Sequence, residues 1–229
     1  MQSERKIVAV LPAFNLESSI GAIVKRTQLF VDNVVVVADG SRDNTATVAH
    51  AAGAIVPQSE QVRGKGFAII KGIQESKKLG AGIVILMDSD GQHLPEEIPV
   101  MIKPLLEGRA DLVSGSRMLG TLRTSRINKF GNWGLKIISF LVTWKWLTDT
   151  ETGYRAFLSE KLYDIPLYSR GYEIESELIL RSLYRKLRIV EVPITVPFAV
   201  PGVTVWDGFK VGWYKVKMGV RLRLGLEEA

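Results

Sequence analysis

The chain has 229 residues, 46% of them hydrophobic, which suits one large globular domain or two small ones. It has no cysteine, which excludes disulfides and cysteine-based zinc sites, and its 2 histidines are too few for a histidine-built metal centre. The formal net charge is +6, and the positive residues are concentrated after residue 115. A basic second half favours an anionic partner such as a phosphate, a membrane surface or a nucleic acid.

The first half of the chain alternates between short apolar runs and helix-like segments. Apolar runs predict strands at 6–11, 33–38, 54–56, 83–87 and 112–114. Helices are predicted from about residue 18 to 30, from about residue 43, over 67–79 after a loop at 64–66, and from Pro95. Strands that alternate with helices are typical of βαβ units. The sequence therefore predicts an α/β fold whose mostly parallel sheet has helices on both faces.

The second half has a different rhythm. Long helices are predicted over 129–147, 173–186 and 207–224. A strand over 189–197 is interrupted by prolines, which places it at a sheet edge. We interpret residues 1–229 as one domain, with a nucleotide-binding half over about 1–118 and an acceptor half over about 119–229.

Two aspartates follow the predicted strand at 83–87. Asp88 and Asp90 are separated by one residue, and Gln92 adds a neutral oxygen close by. Ligands of open α/β sheets bind beyond the carboxyl ends of the strands. Hard oxygen ligands suit Mg²⁺ or Mn²⁺ held jointly with substrate phosphates. Taken by itself, the same pattern also describes an ordinary acidic turn.

Polar or special residues end the other strands as well. Phe14 follows the first strand, and Asp39 follows the second, where a carboxylate could recognise a ribose hydroxyl or a base N–H. Lys65 lies in a Gly-Lys-Gly segment at a helix start, which suits a diphosphate, although it forms neither a Walker loop nor a G-x-G-x-x-G. Arg117 follows the fifth strand. The conjunction is more specific than any one of these features.

In order and spacing, these motifs resemble the family 2 glycosyltransferases, which have the GT-A fold, and within them the dolichol-phosphate mannose and glucose synthases. The resemblance covers residues 6 to about 195. It rests on Pro12-Ala13-Phe14-Asn15, Asp39-Gly40-Ser41-Arg42-Asp43-Asn44-Thr45, Gly64-Lys65-Gly66, Asp88-Ser89-Asp90-Gly91-Gln92, Gly115-Ser116-Arg117, and Asp149 followed by Gly153-Tyr154-Arg155.

The resemblance implies a set of site residues, of which Asp90 and Arg117 are the predicted catalytic ones. The nucleotide-sugar donor would be held by Pro12, Phe14, Asp39, Lys65, Asp88, Ser89, Asp90 and Gln92. A divalent cation, Mg²⁺ or Mn²⁺, would be bound by Asp88, Asp90 and Gln92. The acceptor phosphate would be met by Arg117, Arg123 and Arg126.

The resemblance also implies a reaction. The family inverts the anomeric centre in one displacement, and the metal and nearby cations stabilise the departing nucleoside diphosphate. We predict transfer of mannose from GDP-mannose to a dolichyl or polyprenyl phosphate. Such a phosphate is already an anion and needs no general base, and the sequence offers no obvious base beyond Asp149, Glu173 and Glu175.

The sequence departs from the family pattern in three places. Leu16 stands where the family has a glutamate, and Ala38 stands where it has the first of two aspartates. The arginine and Ser-Lys pair that clamp the acceptor phosphate are also missing. Ala199, Thr204 and Val205 occupy those positions, and candidate substitutes are Arg123, Arg126, Lys129 and Lys210.

Four alternatives stay open at this point. A UDP-glucose-dependent enzyme with the same acceptor fits the motifs equally, and transfer to a hydroxyl acceptor would need Asp149 or Glu175 as a working base. A nucleotidyltransferase would need a glycine-rich start that is absent here. A nucleic-acid-binding module would leave the buried Asp-x-Asp strand end unexplained, so we predict no nucleic-acid partner.

The last predicted helix suggests contact with a membrane surface. No segment reaches the roughly 18 uncharged apolar residues that a transmembrane helix needs. In the helix at 207–224, apolar residues recur on one face at Trp206, Phe209, Trp213, Val216, Val220 and Leu224. We expect a cytoplasmic protein held peripherally at the cytoplasmic face of the membrane; the alternative is that this helix packs on the core.

Overall fold

A six-stranded sheet in the order β2-β1-β3-β5-β4-β6 organises the chain. The computed structural model describes residues 5–57, 63–120, 140, 145–197 and 205–226, with side chains in the last range from residue 212 onward. The strands are β1 Ile7–Ala13, β2 Asn33–Ala38, β3 Ile83–Leu86, β4 Leu112–Ser116, β5 Arg155–Leu158 and β6 Ile189–Pro193. β1 pairs in parallel with β2 and β3, and β4 with β6, whereas β5 runs antiparallel to both of its neighbours. The predicted mostly parallel α/β sheet is confirmed.

Helices cover both faces of the sheet. They are α1 Ile20–Thr27, α2 Thr45–Ala51, α3 Lys65–Lys78, α4 Ile98–Leu106 after a 3₁₀ turn at Pro95–Glu97, α5 Ser159–Tyr163, α6 Ile174–Tyr184 and α7 Val205–Arg223. One apolar core lies between the sheet and α1, α2 and α4. The second lies between the opposite face and α3, α5, α6 and α7. Strand β3 is buried along its whole length, which explains its uninterrupted apolar sequence.

Strand β5 was not predicted from the sequence. It inserts between β3 and β4 and is only four residues long. Its first residue, Arg155, is fully buried, and a charged residue in a short segment hides the apolar pattern by which a buried strand is recognised. The second half of the chain therefore completes the same sheet through β5 and β6.

Three other predictions need correction or fall outside the described residues. Residues 54–56 form no strand and contribute a single bridge between Ile55 and Val35. Lys65 and Gly66 belong to the first turn of α3 and not to a loop. Most of the helix predicted over 129–147 lies outside the described residues, and residues 145–147 are not helical.

The edge strand predicted in the second half is confirmed by the structure. Strand β6, which ends at Pro193, occupies the edge of the sheet next to β4. An edge strand is paired on one side only, so a proline, which has no backbone N–H to donate, is tolerated there. Within the residues that the structure describes, no helix combines the length and apolar character needed to cross a membrane.

Candidate active site

The carboxyl ends of β1, β2, β3 and β4 bring the predicted residues to one edge of the sheet. Because β1 pairs in parallel with both β2 and β3, neighbouring strand ends carry Pro12 in β1, Asp39 after β2 and Asp88 after β3. The hydroxyl of Ser89 donates a hydrogen bond to the carbonyl of Pro12, which ties the turn after β3 to the end of β1. Ligands of open α/β sheets bind at such an edge.

Asp88 lies at one end of a chain of alternating charges. The ammonium Nζ of Lys65 is 2.6 Å from Asp88 Oδ1 and 3.0 Å from Glu175 Oε1. The other oxygen of Glu175 accepts a hydrogen bond of 2.8 Å from Nη1 of Arg155. Lys65 was predicted to meet the donor diphosphate; the structure places it between two carboxylates. Its position fixes Asp88, and contact with the donor remains a prediction.

This pairing determines the charge states of Asp88 and Lys65. Burial would raise the pKa of Asp88, but the positive charge of Lys65 outweighs it and lowers that pKa to about 2. Burial would likewise lower the pKa of Lys65, but the charges of Asp88 and Glu175 raise it overall. Both groups are therefore ionised at neutral pH.

His93 helps to hold Asp88 in place through a hydrogen bond to its backbone. The backbone N–H of Asp88 donates to Nδ1 of His93 over 3.0 Å. The imidazole stacks on Tyr154 with ring centroids 5.0 Å apart, and the Tyr154 hydroxyl donates to the carbonyl of Leu94. Burial lowers the pKa of His93, so the ring is neutral and accepts at Nδ1. Sequence reasoning assigned no role to this histidine, although it lies one residue beyond the Asp88 motif.

Asp90 and Gln92 lie on the accessible side of the same turn. Asp90 is exposed, and both the backbone N–H and the side-chain amide of Gln92 donate to its carboxylate. Among the described residues no cluster of three or more His, Cys, Asp or Glu side chains could hold a metal ion. Mg²⁺ commonly takes one or two carboxylates from the protein and completes its shell with substrate phosphates and water. The exposed Asp90 beside Asp88 fits that mode of binding.

Asp39 and Phe14 occupy the predicted nucleoside side of the edge. Oδ2 of Asp39 accepts hydrogen bonds of 2.7 Å from the backbone N–H groups of Arg63 and Gly64. The carboxylate thus fixes the segment that leads into α3. The Phe14 side chain is 52% exposed, as a ring available to a planar base would be.

Arg117 forms a two-point ion pair with Asp149. Its Nε and Nη2 atoms donate over 2.6 and 2.8 Å to the two oxygens of that carboxylate. Asp149 is held in turn, because its backbone N–H donates to Glu191. Burial would raise the pKa of Asp149, but the bond from Arg117 lowers it overall. The guanidinium is thereby fixed at the end of β4.

Two of the three carboxylates considered as general bases are held in ion pairs. Asp149 is paired with Arg117, and Glu175 is paired with Lys65 and Arg155. Glu173 lines an open cleft with Tyr168, Arg170 and Tyr214, among other residues, and that lining includes none of the strand-end residues. Within the described part of the chain, the three predicted base candidates are thus either ion-paired or directed to another opening.

Several predicted acceptor-site residues lie outside the described residues. These are Arg123, Arg126 and Lys129, and the side chain of Lys210.

Comparison with known proteins defines the class of the chain. Residues 8–169 match the model of the glycosyl transferase family 2, and the chain belongs to that family. It is a glycosyltransferase.

Two curated relatives have similar length and specific names. The chain is 31% identical over 243 residues to the UDP-N-acetylglucosamine--dolichyl-phosphate N-acetylglucosaminyltransferase of Methanococcus voltae, covering 94% of this chain and 96% of the relative. It is also 31% identical over 251 residues to the undecaprenyl-phosphate mannosyltransferase of Micrococcus luteus, covering 96% of this chain and 100% of the relative.

A solved structure establishes the fold. Glucosyl-3-phosphoglycerate synthase from Mycobacterium tuberculosis, crystallised with UDP, superposes with a TM-score of 0.76 at 24% identity. The match covers 100% of this chain and 83% of that protein. The predicted GT-A fold is confirmed. The same synthase has been crystallised with Mn²⁺, UDP-glucose and phosphoglyceric acid.

Proposed function

We propose that this glycosyltransferase moves a hexose from a nucleoside-diphosphate sugar to a dolichyl or polyprenyl phosphate. The observation that carries the proposal is that the carboxylates near Arg117 and Asp88 are held in ion pairs. Asp149 is paired with Arg117, and Glu175 with Lys65 and Arg155. The bond from Arg117 lowers the pKa of Asp149, which makes this carboxylate a poor proton acceptor. A phosphate monoester arrives ionised and can attack without a base.

The donor end of the site consists of Asp88 and Asp90. Asp90 and Asp88 would hold a divalent cation, with Gln92 close by, and that cation would stabilise negative charge on the departing nucleoside diphosphate. Lys65 keeps Asp88 ionised and in place through their 2.6 Å contact. Asp39 fixes the segment before α3 and, with Pro12 and Phe14, would form the nucleoside side.

The acceptor end is built around Arg117. Its side chain is 25% exposed and its guanidinium is oriented by Asp149, so a planar cation is held at the end of β4. Arginine presents a fork of donors that suits a phosphate. Arg123 and Arg126 are proposed to add to this charge, since the family's usual clamp residues are missing.

GDP-mannose is the proposed donor. The Micrococcus luteus relative is named as a mannosyltransferase, which supports mannose. UDP-N-acetylglucosamine is a second candidate, because the Methanococcus voltae relative is named for it. UDP-glucose fits the motifs of the site as well.

Peripheral contact with the membrane on its cytoplasmic side would bring the enzyme to a lipid-linked acceptor. Helix α7 supports this proposal, because it packs on the core through one face and leaves an apolar stripe outside. Met218 and Leu222 are buried, whereas Trp213 and Val220 are 66% and 50% exposed. Exposed Lys217 lies beside the stripe. An amphipathic helix with tryptophan and basic residues suits a membrane interface.

A transfer assay tests the proposal. Purified protein is incubated with Mn²⁺, one radiolabelled donor (GDP-mannose, UDP-N-acetylglucosamine or UDP-glucose), and either undecaprenyl phosphate or undecaprenol. We expect label in the organic phase with GDP-mannose and the phosphate, and none with undecaprenol or with EDTA. Label from UDP-N-acetylglucosamine alone would select the second candidate. Equal transfer to undecaprenol, or no transfer to the phosphate from any donor, would contradict the proposed acceptor.

A further inference from the structure

Lys215, on α7, is buried although it lies on a helix with an exposed apolar stripe. Its side chain has no exposed surface. Its Nζ forms an ion pair with Glu151 and donates a 2.8 Å hydrogen bond to the hydroxyl of Thr150. A fully buried ammonium is costly without such partners, so these contacts fix how α7 docks on the rest of the chain.

The partners of Lys215 belong to the segment that shapes the candidate site, residues 148–153, called here the 148–153 loop. Asp149 in this loop orients Arg117. At the other end of the loop, Gly153 lies against Asp88, since a Cβ at Gly153 would come within 2.5 Å of Asp88 Oδ2. The loop thus contacts both ends of the candidate site, and it orients Arg117 directly, whereas Asp88 is also held by Lys65 and His93.

Thr150 connects the contacts of Lys215 on α7 with the ion pairs that lead to Asp88. Its hydroxyl accepts from Lys215 and donates to Glu151, and its carbonyl accepts a 3.0 Å bond from Nη2 of Arg155. Arg155 pairs with Glu175, which also contacts Lys65. An unbroken series of polar contacts thus leads from α7 to Asp88. Glu151 is further fixed by the hydroxyl of Ser176 on α6.

We propose that Lys215 is a positioning residue for glycosyl transfer, which fastens α7 to the 148–153 loop and thereby holds Arg117 in place for the acceptor. Lys215 does not contact substrate, because it is fully buried. It acts through Glu151 and Thr150. The same helix carries the exposed stripe at Trp213 and Val220, so the contact links the outer surface of α7 to the acceptor side of the site. Only the acceptor readout below rests on the proposed function.

The test compares Lys215→Met with Lys25→Met, an exposed lysine of α1 on the opposite face of the sheet from α7. Removing the buried cation takes away the ion-pair partner of Glu151, so the loop should loosen. We expect faster amide hydrogen exchange in residues 148–154 and a rise in the acceptor KM of about tenfold, as for other groups that orient site residues. The Kd for GDP or UDP should stay within about twofold, because Asp88 keeps its contacts with Lys65 and His93 when the loop loosens. Lys25→Met should match the native protein in all three measurements.

A second variant separates positioning from general stability. Glu151→Gln added to Lys215→Met removes the unpaired charge, and its amide can still bond to Thr150 and Ser176. We expect this double variant to recover part of the lost acceptor affinity and loop protection. If Lys215→Met does not fold, the double variant takes its place and should show a raised acceptor KM with unchanged nucleotide binding.

Two results would overturn the inference. One is unchanged exchange in the loop on loss of Lys215; the other is an equal loss of nucleotide and acceptor affinity that follows a fall in Tm. If the native protein transfers no sugar to polyprenyl phosphate, the proposed function fails, and the exchange measurement alone still decides the role of Lys215.

Discussion

Asp88 illustrates how a residue can be predicted while its environment cannot. Its place after a buried apolar run and two residues before Asp90 marks it in the sequence. Its partners do not: Lys65, Glu175 and Arg155 come from separate segments that only the folded chain brings together. An ion pair between distant residues leaves no periodic or local signal, so the charge network could not be predicted.

His93 offers a pH test of the support beneath Asp88. Burial lowers its pKa below the ordinary value of 6.5, so the unfolded chain takes up a proton at a pH where the folded chain does not. Stability is therefore fully present above about pH 6.5 and falls as the pH drops through that value towards the lower folded pKa. We expect the Tm of the protein without added metal to fall between pH 7.5 and 5.5.

The matched variants are His93→Asn and His50→Asn, since His50 is exposed. Asparagine can still accept the Asp88 N–H but does not titrate in this range. His93→Asn should lower the Tm at pH 7.5 by a few degrees and flatten its pH dependence, whereas His50→Asn should leave both unchanged. An equally steep pH dependence in His93→Asn would assign the effect to other groups.

Among the elements, the parallel strands were more predictable than β5. Strands β1 to β3 are mostly apolar because both faces are covered, β4 begins with the apolar pair Leu112-Val113, and a polar residue or turn marks the end of each. Strand β5 is short, antiparallel and begins with a buried arginine, so neither length nor pattern identified it. The segment around Ile55 was predicted as a full strand. A short apolar run does not reveal how many backbone pairs it forms with the neighbouring strand, and here it forms one, with Val35.

Helix α7 was predicted with a stripe of apolar residues, and the described part of it shows why that stripe is exposed. The opposite face of α7 packs on the core through Lys215, Met218 and Leu222, so the face that carries Trp213 remains exposed. The lysine on the buried face could not be anticipated, because lysines are normally placed in solvent.

The exposed stripe predicts a defined loss of membrane binding. Trp213→Gln should reduce binding to vesicles that contain anionic phospholipid by about tenfold, the effect of removing one large apolar side chain from burial. Leu29→Gln is the control, since Leu29 is 76% exposed on α1's side of the molecule and off this helix. Co-sedimentation with the vesicles measures both. Unchanged sedimentation of Trp213→Gln would argue against α7 as the contact surface.

For the whole molecule, the order of motifs indicated the fold because the sheet gathers the strand ends at one edge. Pro12 lies near the end of β1, and Asp39, Asp88 and Arg117 follow β2, β3 and β4, although the four residues are far apart in sequence. The shared direction of these strands made their proximity predictable. The arrangement of the acceptor side was less predictable. Its chain segments follow no alternating pattern, and their contacts are made by single polar side chains.

We propose above all that this edge of the sheet binds a nucleoside diphosphate through a metal held by Asp90 and Asp88. Thermal unfolding with GDP or UDP, each with and without Mn²⁺, tests it directly in the native protein, Asp90→Ala and Asp164→Ala. Asp164 is an exposed aspartate on the turn after α5 and serves as the control. A ligand that binds the folded state at 100 times its Kd adds about 2.7 kcal/mol to the free energy of unfolding.

We expect one of the two nucleotides to raise the Tm only when Mn²⁺ is present, in the native protein and in Asp164→Ala but not in Asp90→Ala. A rise that needs no metal, or one that Asp90→Ala retains in full, would contradict the metal-assisted site at the end of β3.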